Sequence, residues 1–207
     1  MESCPSVEKT LQQKLRRLCP ALVLASQSPN RLRLLREAGI EVTPCPQDIA
    51  EICGSSDPET VVRTLSLRKL ESYLASPSFR PDVPAVAVDT LVCLDGKLLG
   101  KPADEARARE MLSLLSGRTH EVFSGMSVYR PGEGKVETIT VSDVSYVKFK
   151  HLSVEDIAWY ISTGDPVGAA GAYKIQSHGC TLIESISGSV SNIIGLPMEM
   201  LAEIMEK

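Results

Sequence analysis

The sequence is poor in aromatic residues and has no excess of positive charge. Aromatic residues make up 4% of the 207 residues, and the formal net charge is -4. Proteins that bind single-stranded nucleic acids stack bases on aromatic side chains and hold phosphates with basic surfaces. We therefore expect neither a nucleic acid nor an anionic membrane to be the main partner of this chain.

Long hydrophobic segments and paired cysteine motifs are also absent. No apolar run is long enough to cross a bilayer. The first twenty residues carry six charged side chains and no apolar core of the signal-peptide type. We expect residues 1–20 to be an N-terminal extension, exposed as a short helix or frayed, and residues 21–207 to form one domain. Six cysteines without C-x-x-C spacing predict reduced thiols rather than a zinc site, which favours a cytoplasmic location.

Two common nucleotide-binding motifs are missing. The chain contains no G-x-G-x-x-G after its first predicted strand, which disfavours a dinucleotide-dependent dehydrogenase. It contains no G-x-x-x-x-G-K-[ST], which disfavours a P-loop nucleotide hydrolase. Any phosphate site in this chain must therefore be built differently.

The segment from Leu24 to Gly39 predicts a strand, a polar loop and a helix. Ser28 is a good N-cap, and Pro29 follows at the first helical position. Hydroxyl groups and Arg31 would then cluster at a helix N-terminus, where free N–H groups attract anions. The segment fits a phosphate-binding loop, but taken alone it fits an ordinary capped helix better.

A second candidate site follows the apolar run 85–88, which predicts a strand buried on both faces. The run ends at Asp89 and Thr90, and open sheets place their chemistry at the ends of such strands. The alternative is an aspartate that accepts backbone N–H groups in a turn.

Two further features follow this strand. Asp95-Gly96 predicts a tight hairpin turn. Lys101 lies next to a glycine, where its side chain would either reach a phosphate or lie in solvent.

The remaining pattern predicts an α/β fold. The caps Asp57 and Ser153 predict helices over about 57–75 and 153–163, and apolar periodicity predicts a helix through 108–115 that Gly117 stops and a last helix that Pro197 opens. Strands are predicted over 40–44, 122–129, 136–149 and 180–186, with a loop over 188–195.

Six motifs, taken together, resemble one protein family over almost all of residues 21–206. They are Leu24-Ala25-Ser26-x-Ser28-Pro29, Val88-Asp89-Thr90, Gly100-Lys101-Pro102, Met111-Leu112-x-x-Leu115-Ser116-Gly117-x-x-His120, Gly171-Ala172-Tyr173-x-Ile175-Gln176 and Gly195-Leu196-Pro197. Their order and spacing resemble the Maf family of nucleoside triphosphate pyrophosphatases. The version of the fifth motif resembles the branch that takes dTTP and UTP rather than methylated GTP.

The resemblance implies an elongated, two-lobed α/β fold of the Maf and inosine triphosphatase type. Such a fold has a mixed twisted sheet, flanking helices, a central cleft and often a homodimeric assembly. It also implies hydrolysis of a nucleotide to its monophosphate and pyrophosphate with Mg²⁺ or Mn²⁺, which serves to clean the nucleotide pool. A single small substrate, the nucleoside triphosphate, would be the main partner.

Roles carry over from the family to particular residues. The triphosphate would be held by Ser26, Arg31, Lys69 and Lys101, with Lys101 also contributing to catalysis. Asp89 would hold the metal or activate the attacking water, and Glu51 would help to hold the metal. Gln176 would lie in the nucleotide pocket.

Several positions depart from the family pattern. Asn30 replaces the first of two arginines, Gly168 and Ala169 replace an Asp-Lys pair, and Ser177 replaces a glycine. These changes remove charge from the predicted pocket. They keep open two alternatives to an active dTTP/UTP pyrophosphatase, namely a nucleotide-binding regulatory protein with little turnover and a pyrophosphatase of shifted specificity.

Overall fold

The computed structural model describes residues 7–50, 52–132 and 137–207. The helices are α1 (Lys9–Leu18), α2 (Pro29–Glu37), α3 (Pro58–Leu74), α4 (Glu105–Leu115), α5 (Val154–Ser162), α6 (Val190–Ile194) and α7 (Met198–Glu206). The strands are β1 (Ala21–Leu24), β2 (Glu41–Pro44), β3 (Ala85–Leu94), β4 (Lys97–Leu99), β5 (Thr119–Arg130), β6 (Glu137–Phe149) and β7 (Ile183–Ser187). Short 3-10 turns lie at Ala170–Ala172 and His178–Leu182.

The seven strands form one mixed sheet flanked by helices, as predicted. Its order is β2-β1-β3-β5-β6-β7, and β4 pairs with β3 off this path. The pairs of β1 with β2 and with β3 are parallel, whereas β3, β5, β6 and β7 are antiparallel neighbours. The sheet thus joins a small parallel half to a larger antiparallel half.

Strand β3 has one fully paired edge and one interrupted edge. Strand β5 pairs with it from Ala85 to Cys93. On the other edge, β1 reaches only to Val86 and β4 begins only at Val92. In the described part of the chain, no strand pairs with residues 87–91 on that edge. This gap between β1 and β4 produces a cleft in the middle of the sheet.

The expectation that Asp89 ends its strand is wrong. β3 continues through Asp89 and Thr90 to Leu94. The apolar run stops at position 88 because the next two side chains face the cleft, and not because the strand stops there. The predicted hairpin at Asp95-Gly96 is confirmed, since both residues have positive φ and connect β3 to β4.

Two clusters of buried residues cover the two faces of β3. Val86, Val88 and Val92 belong to the large core, which spreads under α2, α4 and α7. The alternate positions Ala85 and Ala87 belong to a smaller cluster with residues of α3. Because side chains alternate along a strand, Asp89 lies on the α3 face and Thr90 on the face of the large core.

The N-terminal helix α1 packs against the rest of the domain and does not lie frayed or exposed in solvent. Leu15 is fully buried, and α1 packs against α7, where Lys14 forms an ion pair of 2.7 Å with Glu206. Among the described residues, no helix combines the length and the apolar composition of a membrane span.

Two further expectations need correction. The predicted loop over 188–195 contains the short helix α6, which Ser189 caps. The expectation of reduced thiols is wrong for Cys180, which is disulfide-bonded, because cysteine spacing does not reveal which sulfur atoms the fold brings together. The thiols of Cys19, Cys45, Cys53 and Cys93 are free, and burial raises the pKa of Cys19 to about 11.

Candidate active site

The interrupted edge of β3 opens into two adjoining cavities. The larger has a volume of about 610 Å³ and lies between the loop after β1, the end of α6 and residues 167–176. The smaller, of about 400 Å³, lies against Asp89 and the start of α3. Arg31, Lys69, Thr90 and Lys101 line both cavities, so the two form one continuous cleft.

The loop between β1 and α2 forms one wall of this cleft and has the predicted local structure. Ser28 caps α2 by accepting a hydrogen bond from the backbone N–H of Arg31. Ser26 is buried at the end of β1, and its hydroxyl accepts a hydrogen bond from the N–H of Ser28. The loop is therefore rigid, and both hydroxyls lie at a helix N-terminus that favours anions.

The guanidinium group of Arg31 is held in the cleft by three parts of the chain. It donates to the hydroxyl of Ser26 at 2.9 Å, to the hydroxyl of Thr90 at 3.0 Å and to the carbonyl of Gly195 at 2.8 Å. These acceptors come from the loop after β1, from β3 and from the end of α6. Together they hold the planar guanidinium group in a fixed orientation beside the cleft.

Helix α6 is itself fixed to the sheet. The side-chain amide of the buried Asn192 donates to the carbonyl of Val122 at 3.0 Å and to the hydroxyl of Ser145 at 2.9 Å. Gly195 ends the helix with φ 115°, a conformation that favours glycine. A side chain at position 195 would also approach Thr90 and Arg31. The carbonyl that accepts from Arg31 is thus positioned by the large core.

Asp89 and Lys69 form a buried ion pair on the other face of β3. The ammonium Nζ lies 2.6 Å from the carboxylate Oδ1, and the two side chains are 11% and 9% exposed. Lys69 lies on α3 and Asp89 on β3, so the pair joins the helix to the strand. Within the described residues, Oδ2 of Asp89 makes no hydrogen bond, which leaves one carboxylate oxygen for a ligand in the smaller cavity.

The other predicted site residues have different positions. Lys101 is exposed at the junction of the two cavities, just after β4, and Gln176 lines the larger cavity. Ser26, Arg31, Lys69, Asp89, Lys101 and Gln176 therefore all face one cleft. Glu51, the second predicted metal ligand, lies outside the described residues.

A divalent metal fits the donor set only in part. Within residues 7–50, 52–132 and 137–207, no three His, Cys, Asp or Glu side chains come together as a metal site. Mg²⁺, however, is often held by one or two carboxylates together with substrate phosphates and water. The open oxygen of Asp89 satisfies that lower requirement.

The positions that depart from the family pattern also lie at the cleft. Asn30, Gly168 and Ala169 line the larger cavity, and none of them carries charge. Ser177 follows Gln176, and its hydroxyl donates to Asp165 at 2.7 Å. His178 also binds Asp165, through its backbone N–H at 3.1 Å and its ring Nδ1 at 3.2 Å. These hydrogen bonds anchor one end of the loop that carries Gln176.

Tyr173 forms part of the same wall and has a buried histidine behind it. Its hydroxyl lies 2.9 Å from Nε2 of His120, and its ring contacts the rings of His120 and Phe149 edge to face. Burial lowers the pKa of His120 from 6.5 to about 4, so the imidazole is neutral at pH 7. Because His120 is buried and hydrogen-bonded to Tyr173, it supports the cleft wall from behind.

Sequence reasoning missed several residues of the cleft. Thr90 and Gly195 both accept hydrogen bonds from Arg31, and Lys174 lines the larger cavity. Thr90 and Gly195 lie within the sequence motifs quoted above, but only the three-dimensional structure shows that both bind Arg31. The signal available for Lys174 was a lysine two residues before Gln176.

Comparison with known proteins gives one consistent family. The family model described as "Maf-like protein" matches residues 21–207. A dTTP/UTP pyrophosphatase of Symbiobacterium thermophilum is 40% identical over 186 residues, which cover 89% of this chain and 92% of the relative. Proteins of the same name in Desulfitobacterium hafniense and Bacillus thuringiensis are 41% and 34% identical, covering 88% and 90% of this chain and 82% and 94% of the relatives.

Proposed function

This chain belongs to the Maf family, and we propose that it is a nucleoside triphosphate pyrophosphatase that hydrolyses dTTP and UTP. The products are the nucleoside monophosphate and pyrophosphate, and the role is to clean the nucleotide pool. The observation that carries the proposal is the position of Asp89 in one cleft with Arg31, Lys69 and Lys101. A buried carboxylate surrounded by cations suits phosphate chemistry.

The cations bind and stabilise the triphosphate. Negative charge develops on the leaving pyrophosphate and on the oxygens of the attacked phosphorus, and fixed cations stabilise it. Arg31 is preorganised by its three neutral acceptors, so it orients phosphate oxygens without losing much side-chain entropy. Lys101 is exposed at the cleft and reaches the substrate as a mobile point charge.

Asp89 is the proposed acid–base or metal-holding group. Water attacks the α-phosphorus, the bond from that phosphorus to the bridging oxygen breaks, and pyrophosphate leaves. The attacking water loses a proton, which Asp89 accepts if it acts as the base. Lys69 holds Oδ1 of Asp89, which fixes the carboxylate and leaves Oδ2 for this work.

We also propose Mg²⁺ or Mn²⁺ as the cofactor. Asp89 would hold the ion, with Glu51 as the second ligand expected from the family resemblance. A bound divalent ion would supply additional positive charge to the phosphate oxygens. The single uncommitted oxygen of Asp89 supports this assignment because substrate phosphates and water complete such sites.

The preference for pyrimidine nucleotides rests on two observations. The relatives are named dTTP/UTP pyrophosphatases, and Gln176 lines the larger cavity. The amide of Gln176 offers a donor and an acceptor, which matches the edge of uracil or thymine. A cytoplasmic location and a homodimer belong to the same proposal and rest on the family resemblance; light scattering on the purified protein tests the dimer.

The deciding experiment measures pyrophosphate release from dTTP, UTP, ATP, GTP and 7-methyl-GTP with Mg²⁺ or Mn²⁺. We expect dTTP and UTP to be the best substrates and EDTA to abolish turnover. A preference for purines would contradict the specificity.

A second candidate function is nucleotide binding with little turnover. The uncharged cleft positions Asn30, Gly168 and Ala169 favour it, because they weaken the hold on charged phosphates. Tight binding of UTP without pyrophosphate release would establish this function instead.

A further inference from the structure

Lys174 is a cleft residue for which the proposed mechanism has no role. It lines the larger cavity, as do its neighbours Tyr173 and Gln176. Burial alternates along this stretch: Tyr173 and Ile175 are buried, whereas Lys174 and Gln176 are half-buried. Lys174 and Gln176 are thus the partly exposed residues of this stretch, which turns between Lys174 and Ser177.

The backbone of Lys174 is held firmly. Its N–H donates to the hydroxyl of Tyr160, a fully buried residue of α5, at 3.0 Å. Its carbonyl accepts from the backbone N–H of Ser177 at 3.3 Å. Gly179 packs so closely that a Cβ there would lie 2.5 Å from the same carbonyl oxygen. The Cα atom of Lys174, from which the side chain extends, is thus held in place beside the cavity.

The charge of Lys174 is not neutralised by a carboxylate. Across the described ranges 7–50, 52–132 and 137–207, its ammonium has no ion pair or hydrogen bond, whereas Lys69 has Asp89. The acid of the same loop, Asp165, is occupied by Ser177 and His178. On the same wall of the cavity, Gly168 and Ala169 offer no charged group. Asp48 also lines this cavity but forms no ion pair with Lys174 in the described residues, and a cation without an ion pair beside such a cleft favours an anionic ligand.

We propose that Lys174 is a substrate-binding residue, and that its ammonium binds the phosphates of the nucleoside triphosphate in the larger cavity, which Arg31 also lines. This inference rests on the proposed function insofar as the cleft takes a triphosphate. The positive charge of Lys174 would then serve substrate binding in a loop where Gly168 and Ala169 carry no charge. A triphosphate carries more negative charge than a monophosphate, so the contribution of Lys174 should grow with the number of phosphates.

The test measures binding separately from turnover. Isothermal titration calorimetry with α,β-imido-UTP and with UMP would compare the parent protein with Lys174→Gln. We expect Lys174→Gln to weaken binding of the analogue by roughly tenfold, the size of one good charge contact, and binding of UMP by much less. The salt dependence of analogue binding should also become shallower.

Two further variants separate charge from shape. Lys148→Gln removes a surface lysine that pairs with Glu184 on β6 and β7, outside the cleft, and should bind the analogue like the parent. Lys174→Arg keeps the charge and should also bind nearly as well. An unchanged affinity in Lys174→Gln, or an equal loss in Lys174→Arg, would overturn this inference while leaving the proposed function intact. A parent protein that binds no analogue would overturn both.

Discussion

The ammonium of Lys69 lies 2.6 Å from the carboxylate of Asp89, and both side chains are about nine-tenths buried. The pair joins α3 to β3 at the point where β3 has lost its neighbouring strand. It therefore has two functions, since it holds a predicted catalytic group in place and contributes to the contact between a helix and the sheet. The first two predictions separate these functions.

Removing the cation should mainly destabilise the fold. In Lys69→Met the carboxylate of Asp89 stays buried and loses its partner, which typically costs about 3–5 kcal/mol. Urea denaturation measures the loss in the free energy of unfolding. Lys148→Met, which breaks the exposed pair with Glu184, is the matched control and should cost less than about 1 kcal/mol. An equal loss in the free energy of unfolding of the two variants would show that the buried pair stabilises the fold no more than the exposed pair.

Changing the carboxylate should lower turnover, and it also breaks the buried ion pair, so some stability is lost as well. Asp89→Asn keeps the size of the side chain and an oxygen that accepts from Lys69, but it removes the group that takes a proton or holds a metal. We expect pyrophosphate release to fall about a hundredfold or more, with a nearly unchanged circular dichroism spectrum. Asp95→Asn, in the exposed turn between β3 and β4, should retain full activity. Normal turnover in Asp89→Asn would remove Asp89 from the mechanism.

Restoring an arginine at position 30 should improve substrate binding. Asn30 lines the larger cavity one residue before Arg31. Asn30→Arg should lower KM roughly tenfold if it adds about 1.4 kcal/mol of binding to both substrate and transition state. Ser113→Arg, on the exposed face of α4, controls for the added charge. A rise in kcat at unchanged KM would instead mean that the new arginine acts only in the transition state.

The buried imidazole of His120 should make the fold sensitive to mild acid. Its pKa in the folded protein is about 4, against 6.5 for an ordinary histidine. Between these values the unfolded chain binds a proton that the folded chain does not, so stability falls as the pH drops from about 6.5 to about 4. The shift corresponds to about 3 kcal/mol at most.

Denaturation curves at pH 7, 5.5 and 4.5 measure this effect. His120→Gln should have a smaller loss of stability across that range than the parent protein. His178→Gln, at an exposed position beside Asp165, should behave like the parent. If His120→Gln and the parent lost the same stability, the acid sensitivity would belong to other groups.

Local signals in the sequence were sufficient for many elements. The caps at Ser28, Asp57 and Ser153 and the turn at Asp95-Gly96 depend on a few adjacent residues, and each forms as predicted. Helix α6 was missed because its five residues are a weak helical sequence by themselves. Its position depends on hydrogen bonds from Asn192 to β5 and β6, which are distant in the chain.

The sequence predicted which residues line the cleft, but not the hydrogen bonds among them. The family resemblance brought Ser26, Arg31 and Lys101 to one cleft, where the structure places them. The hydrogen bond from Arg31 to Gly195 joins residues 164 positions apart, and no local pattern contains it. The hydrogen bond between Thr90 and Arg31 is likewise absent from any local pattern, because the packing of α2 near β3 brings the two side chains together.

The continuous pairing of β3 with β5 has a consequence for how substrates are selected. The floor of the cleft cannot bend at residues 87–91 without breaking the ladder that joins Ala85–Cys93 to Glu121–Tyr129. Opening and closing of the two sides as rigid halves would therefore be costly, even though one edge of β3 is unpaired. Recognition falls instead to a cavity whose floor is formed before the ligand binds, and adaptation to the ligand is left to long side chains such as Lys101 and Lys174. Discrimination between nucleotides would then be decided at first contact, and not by a later closure around the bound molecule.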